Sequence, residues 1–238
     1  MIKACLNGTR RPAEHPGLPT TPPQLAMAAA GCFAQGAFAV HIHPRDAHGL
    51  ESLAAADCGA AVAAVRARCP GAPVGLTTGL WITGSVPARL EAIAGWEVLP
   101  DFVSVNFAEE GAIELCRLLQ HRGIGIEAGL ASVDDAIQFV ESKLAVVRVW
   151  IEVDGEAEEA IASAEAIESV LAEGRNESAL LEHGYDAATW EVIRRALARG
   201  HDVRVGLEDT LVLPGGRVAA DNAELVAAAR NIADAVGA

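Results

Sequence analysis

The sequence is short of positive charge. Its 18 lysines and arginines stand against 32 aspartates and glutamates, a formal net charge of −14 over 238 residues. That balance argues against nucleic acid or an anionic membrane face as a partner. A small anionic substrate stays admissible, because arginines inside a pocket can reverse the local field. Aromatic residues are also scarce, at 4%; the many Ala and Val residues instead suit an α/β packing of small side chains. The five cysteines, Cys5, Cys32, Cys58, Cys69 and Cys116, are odd in number and show no Cys-x-x-Cys spacing. They exclude a disulfide framework and read as reduced thiols. No apolar run reaches the roughly 18 residues of a membrane span. The opening Met1-Ile-Lys-Ala-Cys-Leu6 lacks the basic stretch and cleavage site of a signal peptide. A soluble, cytoplasmic protein is expected. With no linker or low-complexity segment, residues 1–238 are expected to form a single domain.

What the chain does have is a supersecondary rhythm. Short apolar, β-branched runs fall at Ile2–Asn7, Ala37–His43, Pro73–Thr78, Phe102–Phe107, Ile124–Gly129, Ala145–Val153, Ser178–His183 and Asp202–Glu208. Between and after them lie segments with helical periodicity: 23–35, 56–68, 86–94, 111–122, 133–142, 156–172, 187–198 and 222–236. Thr21, Ser132 and Asp221 stand where N-caps belong, and Gly36, Gly95, Gly123, Gly174 and Gly200 where helices should stop. Eight strands alternating with eight helices predict a (β/α)8 TIM barrel. A doubly wound open sheet is the alternative, but no Gly-x-Gly-x-x-Gly follows the first strand.

Barrel enzymes place their chemistry at the C-terminal ends of the strands. The second run ends His41-Ile-His43-Pro-Arg45, and alternation puts both imidazoles on one face, one pleat apart. Two such histidines can reach one cation, most often zinc. Two buried histidines bonded to their neighbours are the simpler alternative. The eighth run, Arg204-Val-Gly-Leu-Glu208-Asp209, places Arg204 and Glu208 on one face and closes beside the first strand. Glu208 is thus within reach of His41 and His43, unless it merely pairs with Arg204. The other strand ends offer Thr77 and Thr78, Ser104 and Asn106, Glu127, Arg148 with Trp150 and Glu152, and His183. His15, His48, His121 and His201 are expected in solvent, and Trp81, Trp96 and Trp190 in packing.

The His-x-His-x-Arg and Arg-x-Gly-Leu-Glu-Asp runs resemble those of the β-keto acid cleavage enzymes. The likeness extends to Pro19-Thr-Thr-Pro22, Thr77-Thr-Gly79, Ser104-Val-Asn106-Phe107, His183-Gly184 and Asp209-Thr-Leu211 with Asn222. It implies a zinc-dependent barrel, or one using another divalent metal, that converts a β-keto acid and acetyl-CoA into acetoacetate and a new acyl-CoA. His41, His43 and Glu208 match the metal ligands, and Arg204 and Asp209 a catalytic dyad. Thr77 matches a hydroxyl residue on the substrate, with Thr78 beside it, and Ser104 or Asn106 another substrate-side position. A homo-oligomer such as a tetramer is implied, and the chain is shorter than typical members. Where the amino-substrate enzyme carries an acidic residue after the glycine of its first strand, this chain reads Gly8-Thr-Arg10-Arg11. Arg10, placed among the substrate contacts, predicts a neutral or anionic keto acid.

Two other functions fit parts of the pattern. An amidohydrolase-type metal hydrolase also uses His-x-His, but on its first strand and with histidines ending the fifth and sixth. A non-catalytic barrel that senses a metal or metabolite would have no need of Arg204 and Asp209 beside the ligands.

Overall fold

The structure is a computed structural model and describes residues 1–237. Eight parallel strands close into a barrel in sequence order. They are β1 (Ile2–Cys5), β2 (Ala39–Ile42), β3 (Val74–Leu76), β4 (Phe102–Asn106), β5 (Gly125–Leu130), β6 (Arg148–Val153), β7 (Leu180–Gly184) and β8 (Asp202–Val205). The helices that return the chain are α1 (Pro22–Ala34), α2 (Ala55–Arg68), α3 (Val86–Ala94), α4 (Ala112–His121), α5 (Val133–Ser142), α6 (Ala157–Glu173), α7 (Thr189–Ala198) and α8 (Asn222–Val236). The predicted (β/α)8 architecture is therefore the observed one. No described helix is long and apolar enough to cross a membrane.

Local chemistry sets the helix starts. Thr21 accepts a hydrogen bond from the Gln24 amide while Gln24 reaches back to the Thr21 N–H, a capping box that opens α1. Ser132 and Asp221 cap α5 and α8 in the same way, each accepting from the amide three residues on. Outward-facing strand residues such as Val40, Ile42, Val103 and Val105 are fully buried beneath the helix layer, whose inner faces bury Leu25 and Ala29 of α1, Val62 and Val65 of α2, and Leu115 and Leu119 of α4. Burying one such side chain contributes roughly 1.5–3 kcal/mol, so this layer and not the barrel interior carries the apolar core.

The barrel interior is polar, and it is stratified. At the N-terminal end Lys3 pairs with Glu127, which also accepts from Arg148 at 2.8 Å; Arg148 in turn pairs with Asp202 at 3.1 Å. Glu127 and Arg148 were expected at the mouth. They lie instead at the opposite end, because Arg148 begins β6 and Glu127 is its register partner on β5. Strand β8 is also shorter than expected. It ends at Val205, and Glu208 and Asp209 sit in the turn that follows, so strand alternation does not place them. That turn is held by Asn222, whose side chain accepts from the Leu207 amide at 2.8 Å and donates to the Leu6 carbonyl at 3.0 Å. Position 206 must be glycine-sized: a Cβ there would lie 1.9 Å from the Cys5 carbonyl oxygen, where the turn crosses the end of β1.

Candidate active site

The mouth of the barrel holds a cavity of about 270 Å³, closed on one side by β2 and the turn after β8 and on the other by β6 and β7. His41 lies on β2 beside Cys5 of β1, and His43 follows just beyond the strand's end at Ile42. The two Nε2 atoms stand 3.1 Å apart, and Glu208 Oε2 lies 3.9 Å from His41 Nε2 and 3.7 Å from His43 Nε2. All three side chains are largely buried, and Glu208 Oε2 has no hydrogen-bond partner. The structure thus brings together the three residues expected to hold a metal.

Their surroundings fix their chemistry. His43 Nδ1 lies 2.5 Å from Glu51 Oε1, and a carboxylate at that distance holds the proton on Nδ1 and turns the Nε2 lone pair toward the cavity. Burial would raise the Glu51 carboxyl, but the His43 contact and a 3.1 Å bond from Trp81 Nε1 hold it below its ordinary value. Burial, with His43 alongside, keeps His41 well below the usual imidazole range, so it is neutral at pH 7. A converging pair of imidazole Nε2 atoms plus an unpartnered carboxylate oxygen is a donor set that suits a divalent cation. The buried, unpartnered Glu208 Oε2 facing the two Nε2 atoms would be costly to retain without one.

Arg204 stacks over Trp150, 4.8 Å from its ring centre, and donates through Nε to Asp209 Oδ1 at 3.1 Å and through a terminal nitrogen to Glu208 Oε1 at 2.6 Å. Arg204 and Asp209 are fully buried and lie beneath the cavity lining. Burial, opposed by Arg204, raises the Asp209 carboxyl above its ordinary value, and its Oδ2 is unpartnered. His183 fills the space between Asp209 and Glu152, with Nδ1 3.5 Å from Asp209 and Nε2 3.3 Å from Glu152.

The expected substrate contacts divide. Thr77, Ser104 and Asn106 line the cavity. Thr78 does not: its hydroxyl donates to the Ser104 carbonyl at 2.5 Å and ties β3 to β4. Arg10 is absent from the lining too, since it pairs with Asp186 at 2.8 Å and Glu14 at 3.6 Å. Several residues were missed. Trp81, expected in packing, is 50% exposed and stacks 6.4 Å from His43 at the mouth. Glu51 lies in the loop after β2, where no periodicity points to it. Tyr185, the single tyrosine, lines the cavity immediately after β7. Two histidines expected in solvent are not there. His15 is 2% exposed and bonds the Ala219 carbonyl at 2.8 Å, and His201 pairs with Glu182.

The fold and the site together are a parallel (β/α)8 barrel with a His-His-Glu cluster at its mouth and an Arg–Asp pair behind it. The profile of the beta-keto acid cleavage enzyme family matches residues 1–238, and the chain belongs to that family. No curated protein matches the sequence. Among solved structures, apo ObcA superposes with a TM-score of 0.74 at 19% identity, covering 94% of this chain and 63% of that one. ObcA bound to oxaloacetate gives the same TM-score at 18% identity, over 94% of this chain and 65% of that one. The chain therefore spans less than two thirds of ObcA. A type I 3-dehydroquinate dehydratase from Clostridium difficile shares the barrel, with a TM-score of 0.67 at 8% identity over 99% of this chain and 91% of that one.

Proposed function

We propose that this protein is a divalent-metal-dependent, and by preference zinc-dependent, acyltransferase. It takes a β-keto acid and acetyl-CoA to acetoacetate and a new acyl-CoA. The observation that carries the reading is the convergence of His41 Nε2, His43 Nε2 and the unpartnered Glu208 Oε2 at one wall of a cavity. Family membership supports the keto-acid substrate. So do the ligands named for ObcA: oxaloacetate, itself a β-keto acid, and a C4-CoA adduct with oxalate.

His41, His43 and Glu208 would hold the metal, with Glu51 orienting His43. Bound there, a divalent cation supplies Lewis acidity to the keto oxygen. Asp209, buried beneath the lining, would take the C2 proton of the keto acid through a reacting water, and Arg204 holds its carboxylate in place. Thr77, Ser104 and Asn106 orient the substrate and stabilise negative charge on the oxygens of the acyl group in transfer. A homo-oligomer in the cytoplasm belongs to the same reading, and light scattering after size exclusion tests the assembly.

The decisive experiment incubates zinc-loaded protein with acetyl-CoA and a panel of β-keto acids, following acetoacetate and the new thioester. At least one acid is consumed only when acetyl-CoA is present. His41→Ala and Glu208→Ala lose both bound metal and turnover. Absence of acetyl-CoA-dependent loss of every acid, with metal bound, would favour a non-catalytic binding barrel.

A further inference from the structure

We infer that Glu152, held by Tyr185, selects the acyl chain of the substrate, and that the preferred β-keto acid carries a hydrogen-bond donor beyond its keto carbon. The inference rests on the β-keto acid activity proposed above. Strand order supplies the geometry: in a closed barrel of eight strands, β6 stands across the axis from β2. A keto acid engaged by the β2 and β8 side therefore extends its chain toward β6 and β7. There Glu152 lines the cavity, its side chain 23% exposed. Tyr185 donates its hydroxyl to Glu152 Oε2 at 2.8 Å, and the fully buried His183 backs the same oxygen at 3.3 Å. Oε1 makes no hydrogen bond to the protein among the described residues.

One carboxylate oxygen is thus fixed by its neighbours and the other is offered to the cavity. A methyl-ended chain packed against Oε1 would strip it of water and return nothing. A carboxylate-ended chain would meet like charge. An ammonium or a hydroxyl satisfies the oxygen directly. The arginine on which a neutral or anionic substrate was expected does not counter this, because Arg10 is engaged by Asp186 and Glu14 away from the lining.

The test uses zinc-loaded protein, acetyl-CoA and four β-keto acids of equal chain length ending in ammonium, hydroxyl, methyl or carboxylate. The donor-ended acids are expected to exceed the methyl-ended one in kcat/KM by at least about tenfold, the scale of one hydrogen bond to a charged group. Glu152→Gln keeps an acceptor oxygen without the charge, so a preference for ammonium collapses there while one for hydroxyl persists. Glu152→Leu removes both. Tyr185→Phe narrows the ratio by loosening Glu152, raising KM for the donor-ended acids more than it lowers kcat. If the wild-type protein cleaves the methyl- or carboxylate-ended acid as well as the others, the inference falls and the β-keto acid activity stands. If it cleaves none of the four, nor any acid of the wider panel, both fall.

Discussion

Gly8 lies against the Glu208 side chain so closely that a Cβ at position 8 would stand 2.4 Å from Glu208 Cγ. The backbone there has φ +51°, the left-handed region that costs other L-residues roughly 1–2 kcal/mol. The turn after β1 thus forms the wall that aims Glu208 at His41 and His43. Gly8→Ala is expected to push Glu208 out of line and weaken zinc affinity at least about tenfold, as losses around metal ligands do. Competition with a chromophoric chelator measures it, and an unchanged far-ultraviolet spectrum shows that the barrel survives.

Glu51 acts on His43 from the other side. Its Oε1 holds Nδ1 at 2.5 Å while its Oε2 accepts from Trp81. Glu51→Gln preserves a side chain that can still bond the indole, but removes the charge that fixes the His43 tautomer. The expected loss in zinc affinity is about 10- to 100-fold. Trp81→Phe, which deletes only the more distant contact, should cost less than Glu51→Gln in the same titration.

The barrel was legible in the sequence because its two periodicities are distinct. The segments 86–94, 133–142 and 222–236 are the observed α3, α5 and α8 to the residue. His41 and His43 were legible as a pair for the same reason. Alternation reports the face of a strand and not its height, however, so Glu127 and Arg148 were placed at the wrong end of the barrel. It also says nothing beyond the strand's last residue. Glu208 reaches the histidines through a turn that Asn222 and Gly206 shape; closure of the barrel beside the first strand pointed to it, while the alternation expected to orient it had already ended. Glu51 and Tyr185 depend on loop paths that no local pattern encodes.

His183 gives the stability a pH dependence. Burial, reinforced by Arg204, holds its imidazole well below the usual range, so the native state binds fewer protons than the unfolded chain. Its contribution is complete above the unfolded value near 6.5 and is lost as pH falls below it, at up to about 1.4 kcal/mol per pH unit. Urea unfolding of the metal-free protein at pH 7.5, 6.5 and 5.5 should show this decline. His183→Phe keeps a ring against Trp150 and removes the titrating group, so its decline should be shallower. Equal slopes would assign the dependence elsewhere.

The network at the closed end of the barrel bears on stability. Lys3 and Glu127 are each fully buried and paired, and Arg148 shares Glu127 at 2.8 Å. Removing one partner of such a pair leaves a charge without compensation in a dry interior, at a cost of about 3–5 kcal/mol. Lys3→Met should therefore destabilise strongly, since Arg148 alone must then balance Glu127 while also bonding Asp202. Glu127→Gln on the Lys3→Met background removes the orphaned charge and should recover part of the loss. Denaturant midpoints of the two single variants and the double variant form the cycle that measures it. A double variant as unstable as the sum of the singles would show that the pair is not coupled, whatever its geometry.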